Sequence, residues 1–305
     1  MATYQTYQMV GIKEDISDVI VNISPRKTPF QTRIGTQKVW NTLYQWQEDS
    51  LRAVATNSLV EGADVSFITA NPTVMRTNYT QILTESVQVA GTAESVQSHG
   101  RAKEMAYQLA KSGAQVKRDL ENALVGNAQS AAAGNSSTAR TFASVQQLVG
   151  GANVSYMGAA TPLSEAGLVS ALQTAYIAGA DPTFIHVTPS NSVVIAGFAS
   201  AAGRYRTIPT ELNGRGATST IVNTINLYVS PFGEQRIEIN RFQKAKNTII
   251  FEPDMWKLAT LRPWTREGLA KTGDSIKNMI VGEFGLIHKN FLASAIVVDN
   301  ATSGF

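Results

Sequence analysis

Three histidines, His99, His186 and His288, are the residues of this chain best suited to metal binding or proton transfer. They are far apart and show neither H-x-x-H nor H-E-x-x-H spacing, and a metal site needs more ligands than isolated imidazoles supply, so structural histidines are expected. No G-x-S-x-G elbow, no G-x-G-x-x-G after a strand and no Walker lysine is present. Ala270-Lys271-Thr272-Gly273-Asp274 has the residue types of a phosphate loop, but its Gly–Lys order is wrong and it reads as a turn. The carboxylates Glu48, Asp49, Glu61 and Asp64 crowd one polar segment, where a solvated or interface role outweighs acid–base catalysis. Arg236, Arg241, Lys244 and Lys246 form the densest basic group, either a solvated face or a contact with nucleic acid. No catalytic residue, cofactor or metal is expected, and the chain reads as a non-enzyme.

Composition narrows the classes further. The 305 residues suffice for two domains with real cores. Hydrophobic residues make up an ordinary 43%, but charged residues only 16%, below the usual quarter. A surface so poor in charge suggests extensive contact with other protein. The net charge is +3, and Lys and Arg never run beyond two in a row, so no basic tail is visible. The absence of Cys excludes disulfides and thiolate metal sites and suits a reducing cytosol. No signal peptide and no apolar stretch approaching membrane length is found.

The element around which the chain is organised is a helix predicted over 98–127. Ala102, Met105, Ala106, Leu109, Val116, Leu120 and Leu124 recur at helical steps on one face, with Gly113 in register between them. The opposite face carries Arg101, Lys103, Glu104, Lys111, Lys117, Arg118 and Glu121, and Gly126-Asn127 is the stop signal. Such a helix is a rod of roughly 40 Å. Gly113, mid-helix on the apolar face, is expected to mark a close approach to a strand. Ahead of it, KVWNTLYQW alternates and places Trp40, Tyr44 and Trp46 on one face; NYTQILTESVQVAG returns as a strand after a polar tip turning at Gly62-Ala63-Asp64. A hairpin of this length is marginal alone and must pack on its own domain or on a neighbour. The remainder alternates helices and strands: helices after Thr161-Pro162 and Thr188-Pro189, a strand at Phe184–Val187, and closing strands from MWKLATL onward. A short amphipathic helix with Ile12, Ile16, Val19, Ile20 and Ile23 is expected near the start, ended by Ser24-Pro25 and Thr28-Pro29, with Phe30 anchoring in the core.

The order of these parts resembles the Hong Kong 97-type (HK97-like) capsid fold of tailed phages. Ile23-Ser24-Pro25, Thr28-Pro29-Phe30 and Ile34-Gly35 are similar to the N-terminal signature of one family of phage major head proteins. Val229-Ser230-Pro231-Phe232-Gly233 with Arg241-Phe242 is similar to its A-domain. Trp256-Lys257-Leu258-Ala259, Leu261-Arg262-Pro263 and Leu269-Ala270-Lys271-Thr272-Gly273-Asp274 are similar to its C-terminal part. The resemblance spans nearly the whole chain, apart from the Ala/Ser/Asn-rich stretch at 128–140. It implies an α+β fold divided into an N-arm (1–35), an E-loop (36–80), a P-domain (81–160 and 255–305, with the spine helix) and an A-domain (161–254).

The implied function is to build an icosahedral shell of hexamers and pentamers around double-stranded phage DNA. Subunit-interface candidates are Trp40, Tyr44, Trp46, Leu51, Arg52, Val54, Leu59, Val60, Glu61 and Asp64 on the hairpin, and Gly214 and Arg215 in the A-domain. DNA-facing candidates are Arg236, Arg241, Lys244 and Lys246. Implied partners are further copies of the chain, separate scaffolding, portal and cement proteins, and non-specifically held DNA, with no membrane. The place is the virion, after assembly in the host cytoplasm. The alternatives are an encapsulin-like nanocompartment shell and an unrecognised soluble α/β enzyme.

Overall fold

The computed structural model describes residues 24–64, 67, 69–97, 102–201 and 226–301, the side chains of 199–201 excepted. The expected helix around Ile12–Ile23, His99, Arg101, Gly214 and Arg215 lie outside the described residues. In chain order the elements are α1 (Pro29–Arg33), β1 (Gly35–Lys38), β2 (Leu43–Glu48), β3 (Val74–Tyr79), β4 (Gln81–Ala90), α2 (Gly91–Ser95), α3 (Glu104–Val125), α4 (Val145–Leu148) and β5 (Val154–Tyr156). Then follow α5 (Glu165–Ile177), β6 (Phe184–Val187), α6 (Pro189–Ala201), β7 (Leu227–Ser230), β8 (Gly233–Ile239), β9 (Asn247–Phe251), β10 (Trp256–Gly268), β11 (Ser275–His288) and β12 (Ala295–Val298).

A four-stranded sheet in the order β1-β10-β11-β4 lies against α3. Its centre is the antiparallel β10–β11 hairpin, turned at 269–274, where the expected turn occurs and Gly273 takes a φ of +92°. β10 is longer than the short strand expected from MWKLATL because two register shifts let it bend and continue. β1 runs parallel to β10 on one side and β4 antiparallel to β11 on the other. The return strand expected at 78–91 is split into β3 and β4 at Thr80. That residue is buried, and its hydroxyl donates to Glu283 Oε1 at 2.6 Å.

Helix α3 buries Met105, Val116, Leu120 and Leu124 as its pattern requires. It starts at Glu104 rather than 98, because Lys103 is extended (φ −140°, ψ 129°). Its end also differs from expectation: Gly126 stays right-handed, and the left-handed residue is Ala128. Gly126 is needed for space, since a β-carbon there would stand 2.6 Å from the Phe242 carbonyl oxygen. Gly113 marks no close approach; a β-carbon would meet nothing within 4 Å.

The second sheet has six strands in the order β5-β12-β9-β6-β8-β7. β5 and β12 come from stretches outside 161–254, so this sheet joins chain from both sides of the expected P- and A-domain division. Alternation on β6 splits its faces. Ile185 and Val187 join Leu168, Leu172, Ile250 and Val297 in a core under α5. Phe184 and the face it shares point toward a larger core of Phe30, Leu120, Phe142, Phe251, Trp256, Leu286 and Ile296, which fuses the two sheets. α5 begins not at Thr161-Pro162 but behind Ser164, whose hydroxyl accepts the Gly167 N–H at 3.1 Å. α6 has the expected start, with Thr188 Oγ1 accepting the Asn191 N–H and Pro189 at the first position.

Candidate functional site

Trp40, Tyr44 and Trp46 do not share a face, because the chain turns at 39–42 between β1 and β2. Trp40 stands off the strands, 82% exposed, with Lys38 Nζ 4.0 Å above its ring. Tyr44 is buried with Val39, Ala259 and Ile287, and its hydroxyl donates to the Leu286 carbonyl at 2.9 Å. Burial pushes its phenol far up, so it stays protonated. Trp46 is half-buried and stacks on Tyr44 at 6.2 Å. Tyr44 therefore serves the subunit's own core rather than a partner, and of the three it is Trp40 that faces outward.

The base of the β2–β3 hairpin is locked. Glu48 Oε2 pairs with Arg76 Nε at 2.7 Å, Glu48 Oε1 accepts the Phe291 N–H at 2.8 Å, and the Arg76 guanidinium lies 4.0 Å from the Phe291 ring. Phe291 continues into a stack through His288 (6.0 Å) to Trp256 (3.8 Å from His288, rings 6° apart). His288 Nδ1 donates to the Leu148 carbonyl at 3.0 Å, which leaves Nε2 to accept from Ser294 Oγ at 3.1 Å. Ser294 in turn accepts the Trp256 indole N–H at 2.9 Å. Burial holds His288 down to about 3, so it is neutral and structural, as expected from sequence.

Beyond this base, the described residues of 49–73 form no helix or strand. Leu51, Val54 and Phe67 are essentially fully exposed, Leu59 and Val60 largely so, and Arg52, Glu61 and Asp64 project into solvent. The Ala63 N–H donates to the Val60 carbonyl at 3.0 Å and Gly62 has a φ of +82°, which makes the expected turn. The loop thus carries several large apolar side chains with no core of its own.

The opposite arrangement holds α1. Glu121, whose sequence position suggested the solvated face of α3, is fully buried. Its carboxylate accepts the Phe30 N–H (2.9 Å), the Gln31 N–H (3.0 Å) and Asn240 Nδ2 (2.6 Å). Burial raises its pKa, and these donors pull it back. Phe30 itself is buried against Phe251 and Trp256, as expected for an anchor. Arg33 at the other end of α1 pairs with Glu238 at 3.0 Å and lies over Phe184. Buried His186 makes no aligned hydrogen bond among the described residues, but its Nε2 is 3.4 Å from Glu238 Oε2. His186 and Arg33 hold Glu238 below the usual carboxylate range, and burial lowers His186. Sequence reasoning missed Glu121. The available signal was its place three residues before Leu124, at the edge of the apolar stripe.

The basic group divides. Arg236 lies on β8 opposite Leu227 and Phe184, whereas Arg241, Lys244 and Lys246 occupy the β8–β9 turn. That turn is bound to the end of α3 by the Lys244 N–H, which donates to the Val125 carbonyl at 3.1 Å. Arg118 reaches it from α3, its guanidinium 5.6 Å from the Phe242 ring.

The family model of the SU10 major capsid protein matches residues 2–301. The chain is 28% identical over 344 aligned residues to the major capsid protein of Escherichia phage Phieco32, covering 96% of each. A solved structure from Mycobacterium phage Bobi superposes with a TM-score of 0.63 at 14% identity, over 95% of this chain and 96% of that one. The holo-SrpI encapsulin complex of Synechococcus elongatus PCC 7942 gives a TM-score of 0.59 at 9% identity, over 94% and 95%. The two structural likenesses concern fold alone.

Proposed function

The chain belongs to the SU10 major capsid protein family, a structural protein with the HK97-like α+β fold that forms the shell of a phage, and from that premise we propose how its parts meet in the shell. Encapsulins share the fold, but the family match and the phage relative place this chain with phage capsids.

The single observation that carries the proposal is the loop at 49–73: a hairpin clamped at its base by Glu48, Arg76 and Phe291, with Leu51, Val54, Leu59, Val60 and Phe67 bare at its end. Apolar side chains interspersed along the loop with Arg52, Glu61 and Asp64 have the make-up of an interface that combines apolar and polar contacts. In this reading residues 36–80 are the E-loop and lie over a neighbouring subunit, with Trp40 joining the contact. Residues 81–160 and 255–305, with α3 as spine, are the P-domain. Residues 161–254 are the A-domain, meeting its equivalents around the axes of hexamers and pentamers near Gly214 and Arg215, and residues 1–35 are the N-arm. The shell is icosahedral, encloses double-stranded DNA and resides in the virion after assembly in the host cytoplasm, with scaffolding, portal and cement proteins as separate chains.

Deleting residues 57–64 tests the loop's role. The subunit should keep its fold, since none of these side chains enters a core, while closed shells should vanish from electron micrographs. Hydrogen exchange in the loop should slow sharply on assembly. Full protection in the isolated subunit, unchanged in the shell, would assign the loop to its own domain.

A further inference from the structure

The strongest unassigned feature is a basic surface assembled from two distant stretches. Lys117 and Arg118 come from the C-terminal half of α3, and Arg241, Lys244 and Lys246 from the β8–β9 turn. The turn is rigidly seated: Lys244 N–H bonds to the Val125 carbonyl, the Phe242 carbonyl abuts Gly126, and Asn240 is held by Glu121. Arg118 lies over Phe242, and its Nε has no hydrogen-bond partner among the described residues. None of Lys117, Arg118, Arg241 or Lys244 forms an ion pair among the described residues. Within 115–127 and 240–248 the acidic residues are Asp119 and Glu121, and Glu121 is turned inward and consumed by its own hydrogen bonds. Neither stretch exposes a large apolar side chain.

We infer that this surface lies on the inner face of the shell and holds the phosphate backbone of the packaged duplex. The inference rests on the shell reading above and deepens it by naming the face. Preplaced cations without an apolar centre suit phosphate contact, which is electrostatic and independent of sequence. Protein interfaces deplete lysine at their centres and carry aromatic or aliphatic anchors instead, which argues against an acidic polypeptide as the occupant. Of the residues expected to face DNA, Arg241, Lys244 and Lys246 belong to the surface and Arg236 does not.

The test uses dissociated capsomers of the full chain and a 30-base-pair duplex, with affinity measured between 50 and 200 mM salt. The triple variant Arg118→Gln/Arg241→Gln/Lys244→Gln should reduce the slope of log affinity against log salt by about 2–3, at roughly 0.9 for each phosphate no longer neutralised. Lys271→Gln/Lys277→Gln/Lys289→Gln removes the same charge elsewhere and should leave the slope within about 0.5 of the parent. Both variants should still form shells; should the first not fold, the single reversal Lys244→Glu takes its place, with the slope falling by about 1. Equal losses in both variants, or no loss in the first, overturn the inference while leaving shell formation intact. Competition by polyglutamate with an unchanged duplex slope would assign the surface to an acidic polypeptide instead.

Discussion

Two segments in the first quarter of the chain are held in opposite ways. α1 is five residues long, yet its N-terminal N–H groups, its Phe30 ring and its Arg33 guanidinium all have partners within the same chain. The hairpin loop is several times longer, and among the described residues its hydrogen bonds to the rest of the subunit stop at Glu48 and Arg76, those beyond being local to the loop. The difference separates what the subunit stabilises by itself from what its neighbours must stabilise. Ordering a loop costs on the order of 1–2 kcal/mol per residue in backbone freedom. With Leu51, Val54 and Phe67 in water, no burial among the described residues offsets that cost.

The contrast can be broken most directly at Glu121. Glu121→Ala leaves the Phe30 and Gln31 N–H groups and the Asn240 amide without their acceptor, and urea unfolding of dissociated subunits should show a loss of roughly 3–5 kcal/mol. Glu121→Gln keeps one carbonyl acceptor and should lose less. A loss below about 1 kcal/mol for the alanine variant would mean that α1 is held by Phe30 alone.

A pH series sharpens the same boundary at the base of the hairpin. His288 titrates near 3 in the folded chain and about 6.5 unfolded, so between these values the unfolded chain binds the extra proton. The stability that burial of neutral His288 permits is complete above about pH 6.5 and is lost as the pH falls toward 3, by up to ~1.4 kcal/mol per pH unit. Buried His186, also lowered, acts in the same direction. His288→Gln should flatten the slope of unfolding free energy between pH 6 and 4, and an unchanged slope would move the effect to other groups.

Smaller effects test the middle of the molecule and the loop. Gly113→Ala should stabilise α3 by up to ~1 kcal/mol, since the position is open and glycine disfavours helix. A loss in urea unfolding of dissociated subunits instead would mean that the space beside Gly113 is filled in solution. Leu51→Ser/Val54→Ser should change subunit stability by less than about 0.5 kcal/mol while lowering shell yield measured by light scattering. A destabilisation beyond 1 kcal/mol in the free subunit would erase the distinction between the two segments.

Periodic features were legible in the sequence. Val116, Leu120 and Leu124 announce α3, Thr188-Pro189 announces α6, and the glycine-bearing turns at 62 and 273 fall where their residue types place them. What escaped depended on partners far away in the chain. Glu121 looks solvated on its helix, because the three donors that justify burying a carboxylate arrive from α1 and from Asn240. The alternation of Trp40, Tyr44 and Trp46 misled because the break at 39–42 resets the period. The six-stranded sheet was hidden for a related reason: the closing strand β12 was legible, but β5 is three residues long and becomes a strand only by pairing with β12, and the pairing of β12 with β9 is set by distant chain.

The placing of β10 and β11 also sets a schedule. They are the central strands of the four-stranded sheet, yet they are made late, after both of the strands that flank them. Tyr44 finds its acceptor 242 residues downstream, and Glu48 finds the Phe291 N–H 243 residues downstream. At about 5–20 residues per second on the ribosome, β1 to β4 wait on the order of ten seconds or more for the strands that complete them. A chain still being synthesised can pair Glu48 with Arg76 but lacks the Phe291 N–H that completes the clamp, as does a chain truncated before it. Only a chain that extends past Phe291 closes the full clamp, so the order of the strands along the chain delays that contact until nearly the end of synthesis.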